Sequence, residues 1–183
     1  LTGKAFPDLA AERVLGPLGL RNSTFDLTLS DEMRARTASG HLREGQPVMG
    51  LWHVYPESAA EGLWTTPSDF ALFLCVLLSS ATGGPGKLLS PEGARSMLSA
   101  QVESYGLGFL AEGSGDDVVF SLRSKTLGYS CAMVLYPAKG QGAVIMTNSD
   151  NGALVIQEIL CALSAAYDWL HFKPEEKTVL RLD

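Results

Sequence analysis

The segment from Phe120 to Tyr129 (FSLRSKTLGY) crowds two cations and four hydroxyls into a short, strand-like run. Arg123 carries a planar donor fork that can grip a carboxylate through two parallel hydrogen bonds. It reads equally well as a solvent-facing strand residue. Ser124, Lys125 and Thr126 beside it form a polar patch at the same place, and Leu122 opens the patch with an apolar side chain. A second group is Trp52, His53 and Tyr55 in LWHVYP (51–56), suited to contacting a substrate or to packing. Ser149, Asp150 and Asn151 form a third polar cluster, read as a turn in which Asp150 or Asn151 caps the following helix.

Nothing in the chain supplies a nucleophile in a recognisable setting. A serine activated by a lysine one helical turn later needs Ser-x-x-Lys. The residues three positions before Lys4, Lys87, Lys125, Lys139, Lys173 and Lys177 are Leu1, Gly84, Leu122, Tyr136, Leu170 and Pro174. There is no Gly-x-Ser-x-Gly elbow, phosphate loop or dinucleotide fingerprint, so no catalytic residue is assigned and no cofactor is expected. His41 and His171 lack companions at ligand spacing, and no metal site is indicated.

The elements that must position these residues follow from local signals. Thr66 reads as an N-cap with Pro67 at the first helical position and Asp69 in the first turn, predicting a helix over 67–78. It is apolar nearly all round, which predicts burial. Pro7 to Leu15 reads as a shorter helix closed by Gly16-Pro17, and Ser90-Pro91-Glu92 starts another that reaches about Ala100. From Tyr105 the pattern turns to strands, at 105–111, 118–123, 129–136 and 142–148, joined by short Gly- and Asp-rich turns that make them antiparallel neighbours. A last helix, from Gly152 to about Trp169, places Val155, Ile159, Ala162, Leu163, Ala166 and Trp169 on one stripe, expected to pack on the sheet. Asp26 to Glu61 has little periodicity and reads as long loop.

Several segments together resemble the serine β-lactamase and penicillin-binding-protein family, including its class C-like and esterase members. They are LTGKAFP (1–7), PLGLRNSTF (17–25), EGLWTTPSDFALF (61–73), LLSPE (88–92), YGLGF (105–109), the Gly128-Tyr129 pair and MTN (146–148), in the family's order. The resemblance implies an α/β (α+β) fold of β-lactamase/transpeptidase-like type, an antiparallel sheet flanked by helices. It also implies that the N-terminal portion of the family's domain, with Ser-x-x-Lys and Tyr-x-Asn, is missing. Residues 1–183 then form a single partial domain, with helices and cleft-lining loops over 1–104 and the antiparallel meander plus a final helix over 105–183. Its third motif, Lys-Thr-Gly or His-x-Gly, falls on Leu122-Arg123-Ser124 when counted back from Gly128-Tyr129. Lys125-Thr126 spells the start of that motif but lies three residues too near Gly128, which would turn its side chains to the opposite sheet face. It is a displaced motif or an ordinary strand end. The implied substrate-binding residues are therefore Leu122, Arg123, Ser124, Lys125, Thr126, His53 and Tyr55.

By the same resemblance, the complete protein hydrolyses an amide or ester of a small molecule or peptide through an acyl-enzyme, and the isolated chain is inactive. The alternative is a degenerate, non-catalytic member acting as a binding or assembly module. Composition sets outer limits. At 183 residues and 46% hydrophobic content the chain can build one sizeable core. A net charge of −6 without basic clusters argues against nucleic acid as a partner. The longest apolar run, Phe70 to Leu78, is about half of a membrane span. Cys75, Cys131 and Cys161 read as small buried hydrophobes. The exposed helix faces and strand edge left by a missing half predict self-association.

Overall fold

A computed structural model describes residues 2–84 and 88–173. The last part of the Gly83–Gly86 loop and the end of the 105–183 region lie outside the described residues. Four antiparallel strands, β1 (Leu110–Glu112), β2 (Val119–Thr126), β3 (Tyr129–Tyr136) and β4 (Gln141–Thr147), pair in chain order. β2 and β3 form a hairpin in which Thr126 faces Tyr129 across the Leu127-Gly128 turn. β1 covers only Leu110 to Glu112 against Ser121 to Val119, so among the described residues the outer edge of β2 from Leu122 to Thr126 has no strand beside it.

Alternation along the strands divides the molecule into two layers. On one face Phe120, Met133 and Leu135 pack with Leu74 and Leu77 of α5 (Pro67–Ala81) and Ala94 of α6 (Pro91–Met97). On the other, Val119, Ala132, Val134 and Tyr136 pack with Ile156 and Leu160 of α7 (Gly152–Tyr167) and with Trp169. The Tyr136 ring is 1% exposed, and burial together with the nearby Glu112 charge pushes its phenol up to about 12. Neither its hydroxyl nor Nδ1 of the neighbouring His171 has a hydrogen-bond partner among the described residues.

The rotation of α7 differs from the expected stripe. Val155 and Ile159 are 54% and 37% exposed, whereas Gly152, Ile156, Leu160 and Ser164 are buried. The cause is Gly152. A Cβ there would lie 1.7 Å from Thr147 Oγ1 and 3.0 Å from Ser130 Cβ. The helix must therefore seat its first residue directly on β3 and β4, and the residues at i+4, i+8 and i+12 then face the sheet.

Other departures have equally local reasons. The first helix does not stop at Leu15. It runs from α1 (Phe6–Ala10) through a widened π-turn (Ala11–Leu15) into α2 (Gly16–Leu18), ending at Gly19 with φ 69°. Pro17 has no N–H for the Arg13 carbonyl and its ring would strike that oxygen, and the wider turn removes the conflict. The expected strand over 105–111 shrinks to β1, because Gly106 packs under the Ser99 and Met97 carbonyls and Gly108 takes φ 91°. β2 extends three residues past Arg123, and β4 is shifted one residue early.

α5 keeps its Thr66 cap, whose hydroxyl accepts the Asp69 N–H at 3.2 Å, but reaches Ala81. Its outer side, with Leu72 and Cys75, is exposed, so it is not buried all round and Cys75 is not a core thiol. α6 starts at its Ser90 cap but ends at Met97, short of Ala100. The loop expected over 26–61 contains α3 (Asp31–Arg36) and α4 (Ser58–Glu61). Ser30 caps α3 by accepting the Met33 N–H, with acids in its first turn and arginines in its last.

Candidate functional site

The α5 side of the sheet opens into a cleft of about 550 Å³. Its floor is β2, β3 and β4, and its walls are the 53–55 segment, the 60–67 segment, α3 and Phe70 of α5. The alternation of β2 decides which side chains reach it. Leu122, Ser124 and Thr126 line the cleft together with His53 and Tyr55. Arg123 and Lys125 project to the opposite face, towards α7. There the Arg123 guanidinium donates to Gln157 Oε1 at 2.9 Å and lies over the Phe172 ring, while Lys125 Nζ is 3.9 Å from Asp150 Oδ1. The seven expected binding residues thus divide five to two across the sheet. Lys125-Thr126 is the regular end of β2, paired with Ser130 and Tyr129.

The cleft wall is tied to the hairpin at its tip. Tyr55 Oη accepts the Leu127 N–H at 3.0 Å, and the His53 ring stands edge-on to the Tyr55 ring at 4.9 Å. Gly128, with φ 82°, lies so close to Gly40 and Val48 that a Cβ would come within 2.8 Å of both. The 38–43 loop is held there by three side chains. The Tyr129 hydroxyl donates to the Ala38 carbonyl at 2.7 Å, Asn148 Nδ2 to Ser39 at 2.9 Å, and Asn151 Nδ2 to Arg43 at 2.6 Å. Asp150 Oδ1 accepts the Gly128 N–H at 3.0 Å. So neither Asp150 nor Asn151 caps α7 with its side chain, as the sequence suggested. Both fix the position of the β2–β3 turn and its loop.

Sequence reasoning missed the other wall. Trp64 bridges to Thr24 through two 2.9 Å backbone hydrogen bonds and stacks edge-on with Tyr129 and Trp52. Asn22 is anchored by Asp69, whose carboxylate accepts the Asn22 N–H and the Ser23 hydroxyl, each at 2.8 Å. Asn22 in turn accepts from Arg36 at 2.8 Å, which places the guanidinium at the cleft. The cap pattern of α3 was the available signal for Arg36, while Trp64 had none beyond its place in the GLWTT segment.

The described side chains of the cleft offer apolar and hydroxyl contacts to a ligand. Burial pushes the Cys131 thiol and the Tyr129 phenol up, so both stay neutral, and Cys131 is a poor nucleophile despite lining the cleft. Ser124 and Thr126 offer hydroxyls with no base positioned against them among the described contacts. No group of three His, Cys, Asp or Glu side chains converges as a metal would need among the described residues. No helix in the described residues is long and apolar enough to cross a membrane.

Residues 1–160 match the family model described as Beta-lactamase. A 92-residue stretch is 38% identical to Protein Rv1367c of Mycobacterium tuberculosis, covering 47% of this chain and 23% of that protein. The octameric penicillin-binding protein homologue from Pyrococcus abyssi superposes with a TM-score of 0.68 at 20% identity, over 91% of this chain and 39% of that one. The penicillin binding protein from Bacillus halodurans gives 0.70 at 19% identity, over 88% and 51%. The chain therefore spans less than a quarter of that curated relative and about half or less of those structures.

Proposed function

The chain belongs to the β-lactamase family, and on that premise we propose that it forms the substrate-binding strand and one cleft wall of a serine hydrolase that cleaves amides or esters through an acyl-enzyme. The observation that carries this reading is the meeting of Leu122, Ser124 and Thr126 with His53 and Tyr55 in one cleft, beside an edge of β2 that pairs with no strand among the described residues. A free strand edge can pair with an extended ligand, and the alternate side chains select it. Arg123 and Lys125 act from behind the strand, holding it to α7 and to the Asp150 turn.

The sequence has no Ser-x-x-Lys, so the nucleophile belongs to a segment outside these 183 residues, and the chain alone has no acyl-transfer activity. Incubation with a chromogenic β-lactam and a p-nitrophenyl ester tests this. Turnover that a serine-directed acylating probe abolishes would refute it.

A second reading is a non-catalytic member that binds or assembles, favoured by Leu122-Arg123-Ser124 at the third-motif register. The coding sequence upstream discriminates the two: Ser-x-x-Lys and Tyr-x-Asn there support the hydrolase, and their absence supports the binding module. Self-association of the chain fits either reading. Leu154 and Val155 on the outer side of α7 are 73% and 54% exposed, and the edge of β2 from Leu122 to Thr126 pairs with no strand among the described residues.

A further inference from the structure

The strap that follows α7, from Asp168 to Phe172, folds back over the sheet face that α7 covers, and its two ends take left-handed φ of 53° and 60°. Trp169 is its buried anchor. The Trp169 main-chain N–H donates to the Ser164 carbonyl at 3.0 Å, and its indole N–H donates to Gln141 Oε1 at 2.7 Å. Lys139 Nζ donates to the Asp168 carbonyl at 2.9 Å, and Ser164 Oγ to the His171 carbonyl at 2.6 Å. Two atoms stand apart from this well-bonded setting. Among the described residues, Tyr136 Oη and His171 Nδ1 are the only buried side-chain nitrogen or oxygen atoms without a hydrogen-bond partner. They belong to neighbouring rings, with centroids 5.9 Å apart and planes tilted by 43°.

Buried polar atoms are nearly always satisfied, and unrelated exceptions would be scattered through the molecule. Two exceptions on adjacent rings point to one shared partner. We infer that a single internal water molecule bridges Tyr136 Oη and His171 Nδ1 and holds the strap to β3. The phenol both donates and accepts, while the imidazole nitrogen does one or the other according to its tautomer. Water has both capacities, so it satisfies the pair in either tautomer, and it is small enough for a space between packed rings. The strap also carries Phe172, whose ring lies under the Arg123 guanidinium at 5.8 Å. Whatever fixes the strap therefore fixes the support behind β2.

A high-resolution crystal structure of the 183-residue chain tests this. It should show a solvent oxygen within about 2.6–3.2 Å of both atoms. A direct bond between Tyr136 and His171, or a site with no solvent oxygen common to both, overturns the inference. Urea midpoints of Tyr136→Phe, His171→Leu and the double variant give an independent reading. Removing one partner of a shared water leaves the other atom poorly satisfied, so each single change should lower the midpoint by about 0.5 M. The double variant should lose about 0.5 M in all, well short of the sum, because both changes remove the same bridge. If the two atoms share no partner, Tyr136→Phe deletes an unsatisfied hydroxyl. A midpoint that is then unchanged or raised, or strictly additive losses, would overturn the inference.

Discussion

Substituting Gly152 by alanine adds one methyl group at the place where α7 is seated on the sheet. The added carbon would stand 1.7 Å from Thr147 Oγ1, 2.8 Å from Thr147 Cβ and 3.0 Å from Ser130 Cβ. Thr147 cannot simply rotate away, since its hydroxyl donates to the Ser130 carbonyl at 3.0 Å within the β3–β4 pair. Overpacking of this kind costs about 1–3 kcal/mol. Loss of the hydroxyl bond adds about 1 kcal/mol, and the better helix propensity of alanine returns up to about 1 kcal/mol. The expected net loss is about 2 kcal/mol, equivalent to a fall in melting temperature of roughly 4–8 °C for a chain of this size. Urea denaturation followed by far-ultraviolet circular dichroism measures it directly, with a midpoint lower by about 1 M at an unchanged slope. In a Thr147→Ala background the cost of Gly152→Ala should shrink by about 1 kcal/mol, because the two side chains share the same space. An unchanged or raised midpoint, or strictly additive effects in the double mutant, would refute the claim that this contact sets the rotation of the helix.

The same rotation predicts unequal neighbours on α7. Ile156→Ala should cost about 2–4 kcal/mol in urea midpoints, and Val155→Ala under about 0.5 kcal/mol, since only Ile156 is buried. Tyr136 predicts an alkaline instability. Its phenol is raised to about 12 in the fold against about 10 when unfolded, so the unfolded state releases its proton first. The stability it confers is complete below pH 10 and declines as pH rises to 12, by at most about 2–3 kcal/mol. Stability curves of the parent and Tyr136→Phe should converge on that window, and parallel curves would contradict the burial argument.

What was legible in the sequence was what short-range chemistry determines. Thr66 and Ser90 announce their helices because a hydroxyl capping an N–H three residues away needs no tertiary partner. The β3 strand is bounded by Gly128 and Pro137 and falls at Tyr129–Tyr136 as expected. The rotation of α7 was not legible. Its apolar residues surround much of the helix, and only the crowding of Gly152 against Thr147 chooses among them. The Pro17 π-turn was hidden for a similar reason, since proline usually ends or kinks a helix, and accommodation by a wider turn depends on the backbone around it. For the site, the odd register difference between Leu122 and Lys125 already placed them on opposite faces. Which face meets the cleft was decided by Tyr55, Trp64 and the 38–43 loop, segments without periodicity.

The division of β2 into odd and even positions has a consequence for how such a site can change. Substitutions at 122, 124 and 126 vary the surface offered to a ligand without touching the contacts to Gln157, Phe172 or Asp150. Substitutions at 123 and 125 alter the anchoring of the strand while leaving that surface intact. One strand therefore carries two sets of positions open to independent variation. A combinatorial library confined to the even set can search for new ligand preferences while the odd set keeps its scaffold constant.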